Sequence, residues 1–369
     1  MWGDIVIAFT IAFTAAFVAT PHTIKLAKKL GAVDTPKDQR RINTVSMPRL
    51  GGLAVIAGFV VSIVYLLVIM SLEGNIDLSE ENYIGKLAGF IVGGMIICLT
   101  CFLDDVKGVP AIFKLLAQTA AAFIVVQSGI IIDTFNLPLI NAENFNMVFY
   151  YVLTIFWIVG ITNAMNLIDG LDGLSTGVSL ISCISLLIIF SLNGSPLISI
   201  ALIAALGGAL LGFLPYNFNP ARTFIGDTGS NFLGYCISII SILGIAKTYT
   251  AIVIMSPLIV LAFPLADTLF AIIRRLITGK SLKSIMQPDA KHLHHKMLQK
   301  GFTHKQAVLI IYGLTATLGM FSIILLESGI WKALSFAIII FIIIIMGHKE
   351  FFKQRLLGKE ETEAKTEKK

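Results

Sequence analysis

The chain has 369 residues, of which 56% are hydrophobic and only 14% are charged, and its formal net charge is +6. Soluble globular domains carry a charge on about a quarter of their residues, so this composition excludes that class and indicates a membrane protein. Because the basic residues lie between apolar runs, we attribute the positive charge to membrane topology and contact with anionic lipid, and we exclude nucleic acid as a partner.

Eleven predominantly apolar runs follow one another, and each is near the length of about 20 residues that a membrane-spanning helix needs. They cover residues 4–20, 50–71, 87–103, 112–131, 147–164, 174–192, 197–214, 230–246, 250–270, 307–326 and 331–347. The turn-rich stretch SLNGSP, Ser191 to Pro196, separates the sixth run from the seventh. We predict an all-α, polytopic membrane protein over residues 1–348, followed by a charged and disordered cytoplasmic tail over residues 349–369.

Lysine and arginine predict the orientation of these spans. With the N-terminus outside, all but three of the 28 basic residues lie in inner segments, the exceptions being Lys86, Lys247 and Lys332. Inner loops of membrane proteins carry an excess of Lys and Arg. We therefore predict an outer N-terminus and a cytoplasmic C-terminus.

This topology places acids and imidazoles from five distant segments on one inner face. They are Asp104 and Asp105, Asp169 and Asp172, Asp227, Asp267, and the group Asp289, His292, His294 and His295. Adjacent carboxylates disfavour each other's charge unless a cation lies between them, and Mg²⁺ prefers carboxylate and phosphate oxygens. The pattern predicts a magnesium–phosphate site. Helix capping is the alternative for a carboxylate at the end of a span, such as Asp172 taken singly, and it explains the adjacent pair Asp104 and Asp105 less well.

Other inner residues suit a phosphorylated ligand. The basic candidates for phosphate binding are Arg40, Arg41, Arg49, Lys107, Lys114, Arg222 and Lys291, although the positive-inside bias would supply them too. Gly170 and Gly173 allow close approach of a ligand, and Phe224 offers a ring to a base, with core packing as its alternative. The spacing in HLHH fits zinc poorly and favours phosphate contact or acid–base work. These features indicate a nucleotide-linked donor and a lipid acceptor.

Six motifs, which run in order from about Met47 to Leu298, resemble the polyprenyl-phosphate N-acetylhexosamine-1-phosphate transferase family. They are MPRLGG, FLDDVKG, NAMNLIDGLDGLSTG, NPARTFIGDTGSNFLG, FPLADTLFAIIRR and PDAKHLHHKML. The chain looks most like the bacterial branch that makes undecaprenyl-diphosphate-N-acetylglucosamine for teichoic acid, O-antigen or related polymers. It departs from the family pattern at Asn43, where histidine is usual.

The resemblance implies a reaction of UDP-N-acetylglucosamine with undecaprenyl phosphate at the cytoplasmic membrane face, with UMP as the second product. It implies Mg²⁺ as the cofactor, with Mn²⁺ as the substitute ion, and leaves a homodimer open. One alternative is the peptidoglycan branch, which uses UDP-N-acetylmuramoyl-pentapeptide. A transporter is the more distant alternative, but it would place ionisable groups at mid-membrane, where these spans are nearly free of charge.

The family roles map onto individual residues. Asp227 is expected to be the principal metal ligand, with Asn166 near the metal, and Asp104 and Asp105 form the essential acidic pair that joins them as ligands. The catalytic set is expected to be Asp104, Asp105, Asp169, Asp227, His292, His294 and His295, and the substrate contacts Lys114, Asn166, Asp172, Phe224, Arg49 and Arg41. Direct attack by the acceptor phosphate is our hypothesis, and a phosphorylated aspartate is the rival route.

Overall fold

The computed structural model describes residues 2–35, 46–72, 83–132, 146–245, 251–279 and 292–343. Several predicted features therefore lie outside the described residues. They are Arg40, Arg41, Asn43, Asp289, Lys291 and the tail over residues 349–369.

Helices make up nearly all of the described chain, as the apolar runs predict. They are α1 (Trp2–Leu30), α2 (Gly52–Leu72), α3 (Tyr83–Lys107), α4 (Ala111–Gln127), α5 (Met147–Leu167), α6 (Leu174–Leu192), α7 (Leu197–Asn217), α8 (Gly226–Ile245), α9 (Ala251–Val260), α10 (Ala262–Gly279), α11 (Leu293–Gln299), α12 (His304–Ser328) and α13 (Ile330–Ile343). The predicted break at SLNGSP is confirmed, because α6 ends within it at Leu192 and α7 begins directly after it at Leu197.

Eight helices in the described part of the chain are long and apolar enough to cross a membrane: α1, α2, α3, α5, α6, α7, α8 and α12. The protein is therefore an all-helical polytopic membrane protein. A short antiparallel ladder interrupts the helices, where β1 (Val33–Asp34) pairs with β2 (Met47–Pro48) and Val33 lies opposite Pro48.

The predicted single span over residues 250–270 is wrong in detail, because this stretch forms two helices, α9 and α10, with Leu261 in a turn between them. Proline explains the break. Pro264 lies in the first turn of α10, where its missing N–H is tolerated, but it could not continue the hydrogen bonding of a helix that came from α9. Asp267 therefore lies within α10 and not near the end of a span.

The chain divides into two compact units, Met1–Gly319 and Met320–Lys369. The first unit contains α7 and α8 as its most enclosed helices. Helices α1 and α2 pack on α7, and α3 and α5 pack on α8. Gly208 and Gly212 of α7 lie so close to α1 that a side chain there would meet the carbonyl oxygens of Phe9 and Phe13. Small residues of this kind allow close helix packing without polar contacts.

One end of the first unit collects the predicted acidic motifs. Helices α3, α5 and α7 end there, and α4, α6 and α8 begin there. Hydrogen bonds between the residues around the three connections show that these connections lie together. Chain segments that are distant in sequence therefore meet at a single site.

Candidate active site

A lysine lies between two aspartates where α3, α4 and α8 meet. Lys114, in the first turn of α4, donates from Nζ to Asp104 Oδ2 at 2.6 Å and to Asp227 Oδ2 at 3.1 Å. Asp104 is near the end of α3, and its Oδ1 also accepts from Val109 N at 2.6 Å. The carboxylates of Asp104 and Asp227 thus share one positive charge, which offsets the repulsion between them.

Asp227 is the second residue of α8, and its carboxylate accepts hydrogen bonds from α4 and α5. Its Oδ1 accepts from Asn166 Nδ2, near the end of α5, at 2.6 Å. Asn166 Nδ2 also donates to Ser230 Oγ at 2.9 Å, so the amide nitrogen faces α8. The side-chain oxygen Oδ1 of Asn166 is the atom of this amide that can accept a hydrogen bond or bind a cation. The Asp227 side chain is 21% exposed, so a ligand from solution can reach it.

Asp105 differs sharply from its neighbour Asp104. Its side chain is 0% exposed, and its oxygens accept from the N-terminal groups of α8: Asp227 N at 2.9 Å, Thr228 N at 2.9 Å and Thr228 Oγ1 at 2.6 Å. The Nε atom of Arg49 lies 3.8 Å from Asp105 Oδ1. Asp105 thus caps α8 from another helix, since the first amides of a helix have no intrahelical partner.

The segment before α8 explains why MPRLGG accompanies the Asp227 motif. Phe224 N donates to Pro48 O at 2.8 Å, and Gly51 N donates to Phe224 O at 3.0 Å. The next residue but one, Gly226, has a φ of 73°, and a side chain there would collide with the carbonyl oxygen of Arg49. Only glycine meets both conditions without strain. The partly buried Phe224 is therefore held by backbone pairing beside the site.

The two aspartates of the segment between α5 and α6, Asp169 and Asp172, have different hydrogen-bond partners. Asp169 Oδ1 accepts from Ser175 Oγ at 2.6 Å. Burial raises the pKa of Asp169 to about 7, and the charges of Asp227 and Asp105 act in the same direction. Asp172 is buried, and its Oδ2 accepts from Asn219 Nδ2 at 2.8 Å and from Ala221 N at 3.2 Å. Asp172 therefore ties this segment to the α7–α8 segment.

The segment that contains the three histidines is bonded to α10 through Asp267. Asp267 Oδ2 is 2.8 Å from His292 Nδ1, and Asp267 Oδ1 accepts from Leu293 N at 3.0 Å. His294 is buried against Gly170, where any Cβ would collide with its Nε2 atom. Burial and the two neighbouring histidines lower the pKa of His294 to about 3, so its ring is neutral at pH 7. Within the described residues, His294 Nε2 has no hydrogen-bond partner.

Helix α12 clamps the segment between α5 and α6, which the sequence did not predict. Asp172 N donates to His304 Nε2 at 3.2 Å, and Tyr312 donates from its hydroxyl to Gly173 O at 2.5 Å. The Tyr312 ring also occupies the space that a side chain at Gly177 would need. These contacts fix the backbone beside Asp169 and Asp172.

A largely apolar groove of about 820 Å³ runs along α10 between α11 and α12. Its apolar wall includes Phe263, Phe270, Ile273, Leu314 and Leu318. Asp267, Arg274 and Lys296 add polar groups to the same groove, and Asp267 links it to the histidines. An amphipathic ligand with a long apolar chain and an anionic head fits this lining.

The fit of a magnesium ion follows from the donor chemistry. Among the described residues, no three His, Cys, Asp or Glu side chains group as a metal site. Asp104 and Asp227 nevertheless converge on one cation, the Lys114 ammonium. Mg²⁺ in phosphate-transfer sites usually takes one or two carboxylates and completes its shell with water and substrate phosphates. The pair fits an ion that arrives with a diphosphate.

The structure brings together Asp104, Asp105, Asp227, Asn166 and Lys114, with Arg49 in reach of Asp105. Sequence reasoning missed the amides Gln118, Asn163 and Asn231, which lie one turn from Lys114, Asn166 and Asp227. Polar side chains inside otherwise apolar spans are the signal that could have found them.

Comparisons with known proteins find one matching family profile and several similar proteins. A profile of glycosyl transferase family 4 matches residues 87–245. The chain is similar to a probable undecaprenyl-phosphate N-acetylglucosaminyl 1-phosphate transferase of Bacillus subtilis, with 39% identity over 92% of this chain and 89% of the relative. It is 33% identical to a decaprenyl-phosphate N-acetylglucosaminephosphotransferase of Mycolicibacterium smegmatis, over 82% of this chain and 78% of that protein. It is 34% identical to a phospho-N-acetylmuramoyl-pentapeptide-transferase of Staphylococcus saprophyticus, over 64% of this chain and 74% of that protein.

Proposed function

The chain belongs to glycosyl transferase family 4, and from this we propose that it transfers N-acetylglucosamine-1-phosphate from UDP-N-acetylglucosamine to undecaprenyl phosphate, the first step of a cell-envelope polymer. The observation that carries the proposal is the pair Asp104 and Asp227, joined through Lys114 at the end of an apolar helix bundle. A water-soluble nucleotide sugar and a membrane-bound phosphate can meet only at such a boundary.

We assign the site to the cytoplasmic face. The segments that meet at the site belong to the set that carries nearly all lysine and arginine, which favours the inner side of the membrane. Helices α4 and α13 and the α9–α10 pair would supply the remaining crossings of the predicted eleven, which gives an outer N-terminus and an inner C-terminus.

For the metal, we propose that Asp227, Asp104 and the carbonyl oxygen of Asn166 hold Mg²⁺, for which Mn²⁺ could substitute. When bound, the ion would neutralise charge on the donor diphosphate and on the UMP leaving group. Lys114 already balances the same two carboxylates and would supply a second positive charge near the phosphates. Asp105, buried under the α8 N-terminus, holds Asp227 in place and does not ligate.

The reaction forms one phosphorus–oxygen bond and breaks one. An oxygen of the acceptor phosphate attacks the donor phosphorus that bears the sugar, and the bridging oxygen leaves with UMP. A phosphate monoester has a second pKa near 6, so most of the acceptor is already dianionic at pH 7. We therefore propose direct attack, with Asp104 orienting the acceptor and neutral His294 donating a hydrogen bond to the diphosphate. Positioning and charge balance carry most of this chemistry.

The acceptor and the nucleotide would approach from different sides. We place the polyprenyl chain in the groove along α10, with its phosphate towards Arg274 and Lys296. We place the uracil against Phe224, near Asp169, while Asp172 keeps the neighbouring segments together. Hydrocarbon would then bury its surface in the groove, which favours binding roughly in proportion to the apolar area removed from water.

The test is UMP release by purified protein in detergent with undecaprenyl phosphate and Mg²⁺. One tube contains UDP-N-acetylglucosamine, and a parallel tube contains UDP-N-acetylmuramoyl-pentapeptide. We expect UMP from the first tube only. UMP from the second tube only would assign the chain to peptidoglycan synthesis, and folded protein that is silent in both tubes would contradict the proposed reaction. A phosphorylated enzyme formed with donor alone would overturn direct attack.

A further inference from the structure

Three amide side chains lie directly behind the proposed site, two of them buried and the third, Asn163, partly buried. Gln118 of α4 is four residues after Lys114, Asn163 of α5 is three residues before Asn166, and Asn231 of α8 is four residues after Asp227. Residues three or four apart lie on the same helix face. Each site residue therefore has an amide one turn deeper on its own helix. Gln118 is 3% exposed and Asn231 is 1% exposed, so both are shielded from water.

The amides form one continuous chain of hydrogen bonds. Asn163 Nδ2 donates to Gln118 Oε1 at 2.6 Å, and Gln118 Nε2 donates to Asn231 Oδ1 at 2.8 Å. Asn231 Nδ2 then donates to the backbone carbonyl oxygen of Asp227 at 2.8 Å. The chain links α5, α4 and α8 in that order and ends on the residue that we propose as the main metal ligand.

The direction of this chain is determined at both ends. A carbonyl oxygen can only accept, so Asn231 must present its nitrogen to Asp227 O and its oxygen to Gln118. Gln118 must then donate to Asn231 and accept from Asn163. At the other end, Asn163 Nδ2 also donates to Val159 O at 2.9 Å. Since both terminal acceptors are backbone carbonyls, no amide can be flipped without loss of a bond.

Such a network is costly unless it is complete. An unsatisfied buried amide costs about 1–3 kcal/mol, whereas leucine or alanine would pack between apolar helices at no such risk. A fully satisfied network instead favours one arrangement of the helices. Here that arrangement sets the relative positions of Lys114, Asn166 and Asp227, which must agree within a fraction of an ångström for a metal–phosphate site.

We propose that Gln118, Asn163 and Asn231 are positioning residues, whose amide chain fixes the helices α4, α5 and α8 so that Lys114, Asn166 and Asp227 bind a divalent cation. The inference rests on the proposed function for its metal and deepens it by naming what holds the metal ligands. None of the three amides contacts the substrate in this role. They act through the residues one turn away.

The test compares Gln118→Leu with Thr119→Val, a change at the neighbouring residue of α4, where the Thr119 hydroxyl donates to Leu115 O of the same helix. Two readouts are used: the Mg²⁺ concentration for half-maximal UMP release, and the rise in unfolding temperature on adding Mn²⁺ without substrate. For Gln118→Leu we expect about a tenfold increase in the half-maximal concentration, the usual scale for groups that support metal ligands, and a smaller Mn²⁺-induced rise. Thr119→Val should match the wild type in both.

A double variant, Gln118→Leu with Asn231→Leu, separates positioning from plain stability. Replacing both partners by apolar groups can restore stability, but it cannot restore the alignment. We expect an unfolding temperature close to wild type together with weak metal binding. Normal metal dependence in both variants would overturn the proposal, as would metal binding that recovers along with stability in the double variant.

The two proposals fail in different ways. If the wild type releases no UMP but its unfolding temperature rises with Mn²⁺, the reaction is wrong and the amide chain is still tested by the Mn²⁺ shift of the variants. If the wild type neither releases UMP nor responds to Mn²⁺, the positioning proposal is overturned as well.

Discussion

The carboxylate cluster and the histidine segment both contact the chain around the end of α5, the first at Asn166 and the second at Gly170, but they are held very differently. Asp104, Asp105 and Asp227 receive donors from the helices α4, α5 and α8 and from the loop between α3 and α4, and each carboxylate accepts at least two hydrogen bonds. The histidine segment is tied to α10 through Asp267, and His294 Nε2 is buried with no partner in the described part of the chain. The first region is organised in advance, whereas the second presents a polar atom that a ligand could satisfy.

This difference indicates a division of labour. Charges that are already fixed need no reorganisation when phosphate charge develops near them, which is the basis of electrostatic stabilisation. A buried ring nitrogen without a partner costs about 1–3 kcal/mol, and a ligand that bonds to it recovers that cost. Under the proposed function, the carboxylate cluster positions the metal and the histidines respond to the donor diphosphate.

The largest expected effect comes from Asp227→Asn. The change removes one negative charge and places an amide group against Lys114 Nζ and Asn166 Nδ2, where two donors now point. UMP release should fall by about 10²–10³-fold or more, and what remains should need much more Mg²⁺. The measurement is initial rate against Mg²⁺ concentration.

Glu327→Gln serves as the control for Asp227→Asn, because Glu327 lies at the end of α12 and is exposed. It should leave the rate and the metal dependence unchanged. Equal losses in both variants would show that the site is misplaced.

Gly170→Ala attacks the other region while leaving the carboxylate cluster intact. The added methyl group would occupy the place of His294 Nε2 and displace the ring. A displacement of about 1 Å can cost 10²-fold in rate, so we expect a loss of about 10–100-fold in kcat/KM for the donor with little change in Mg²⁺ dependence. Steady-state kinetics at several donor concentrations would measure it.

Gly160→Ala is the matched control for Gly170→Ala, since a side chain at Gly160 meets no atom within 4 Å. This control should retain full activity, because the added methyl group displaces nothing and alanine stabilises a helix more than glycine does. A Gly170→Ala enzyme with wild-type kinetics would mean that the His294 position does not matter for the donor.

The sequence predicted most of the helices and the residues of the site, because apolar length and charges in apolar surroundings leave strong local patterns. It failed where the deciding partner lies on another helix. The sequence shows two adjacent aspartates, but it does not show that Asp104 faces Lys114 while Asp105 caps α8. The amide chain through Gln118 and the clamp by Tyr312 likewise depend on which helix faces meet, which periodicity does not reveal.

Asp105→Asn should mainly lower stability. The substitution leaves one accepting oxygen where two accept now, so an amide at the α8 N-terminus loses its partner at a cost of about 1–3 kcal/mol. The unfolding temperature in detergent should fall, and activity measured well below that temperature should be reduced less than in Asp227→Asn. Wild-type thermal stability combined with the full activity loss of Asp227→Asn would instead give Asp105 a direct role in metal or substrate binding.

The smallest effect is expected for Tyr312→Phe, which keeps the ring against Gly177 but removes the hydroxyl donor to Gly173 O. A single neutral hydrogen bond contributes about 1 kcal/mol, so the segment that carries Asp169 and Asp172 should loosen without unfolding. We expect a rise of a few fold in KM for the donor at nearly constant kcat, because the nucleotide is proposed to bind beside this segment. Tyr65→Phe on α2 should leave KM unchanged. If Tyr312→Phe lowered kcat and the Mg²⁺ affinity together, the clamp would act on the preorganised carboxylate cluster, and the separation between the two regions would be smaller than their contacts indicate.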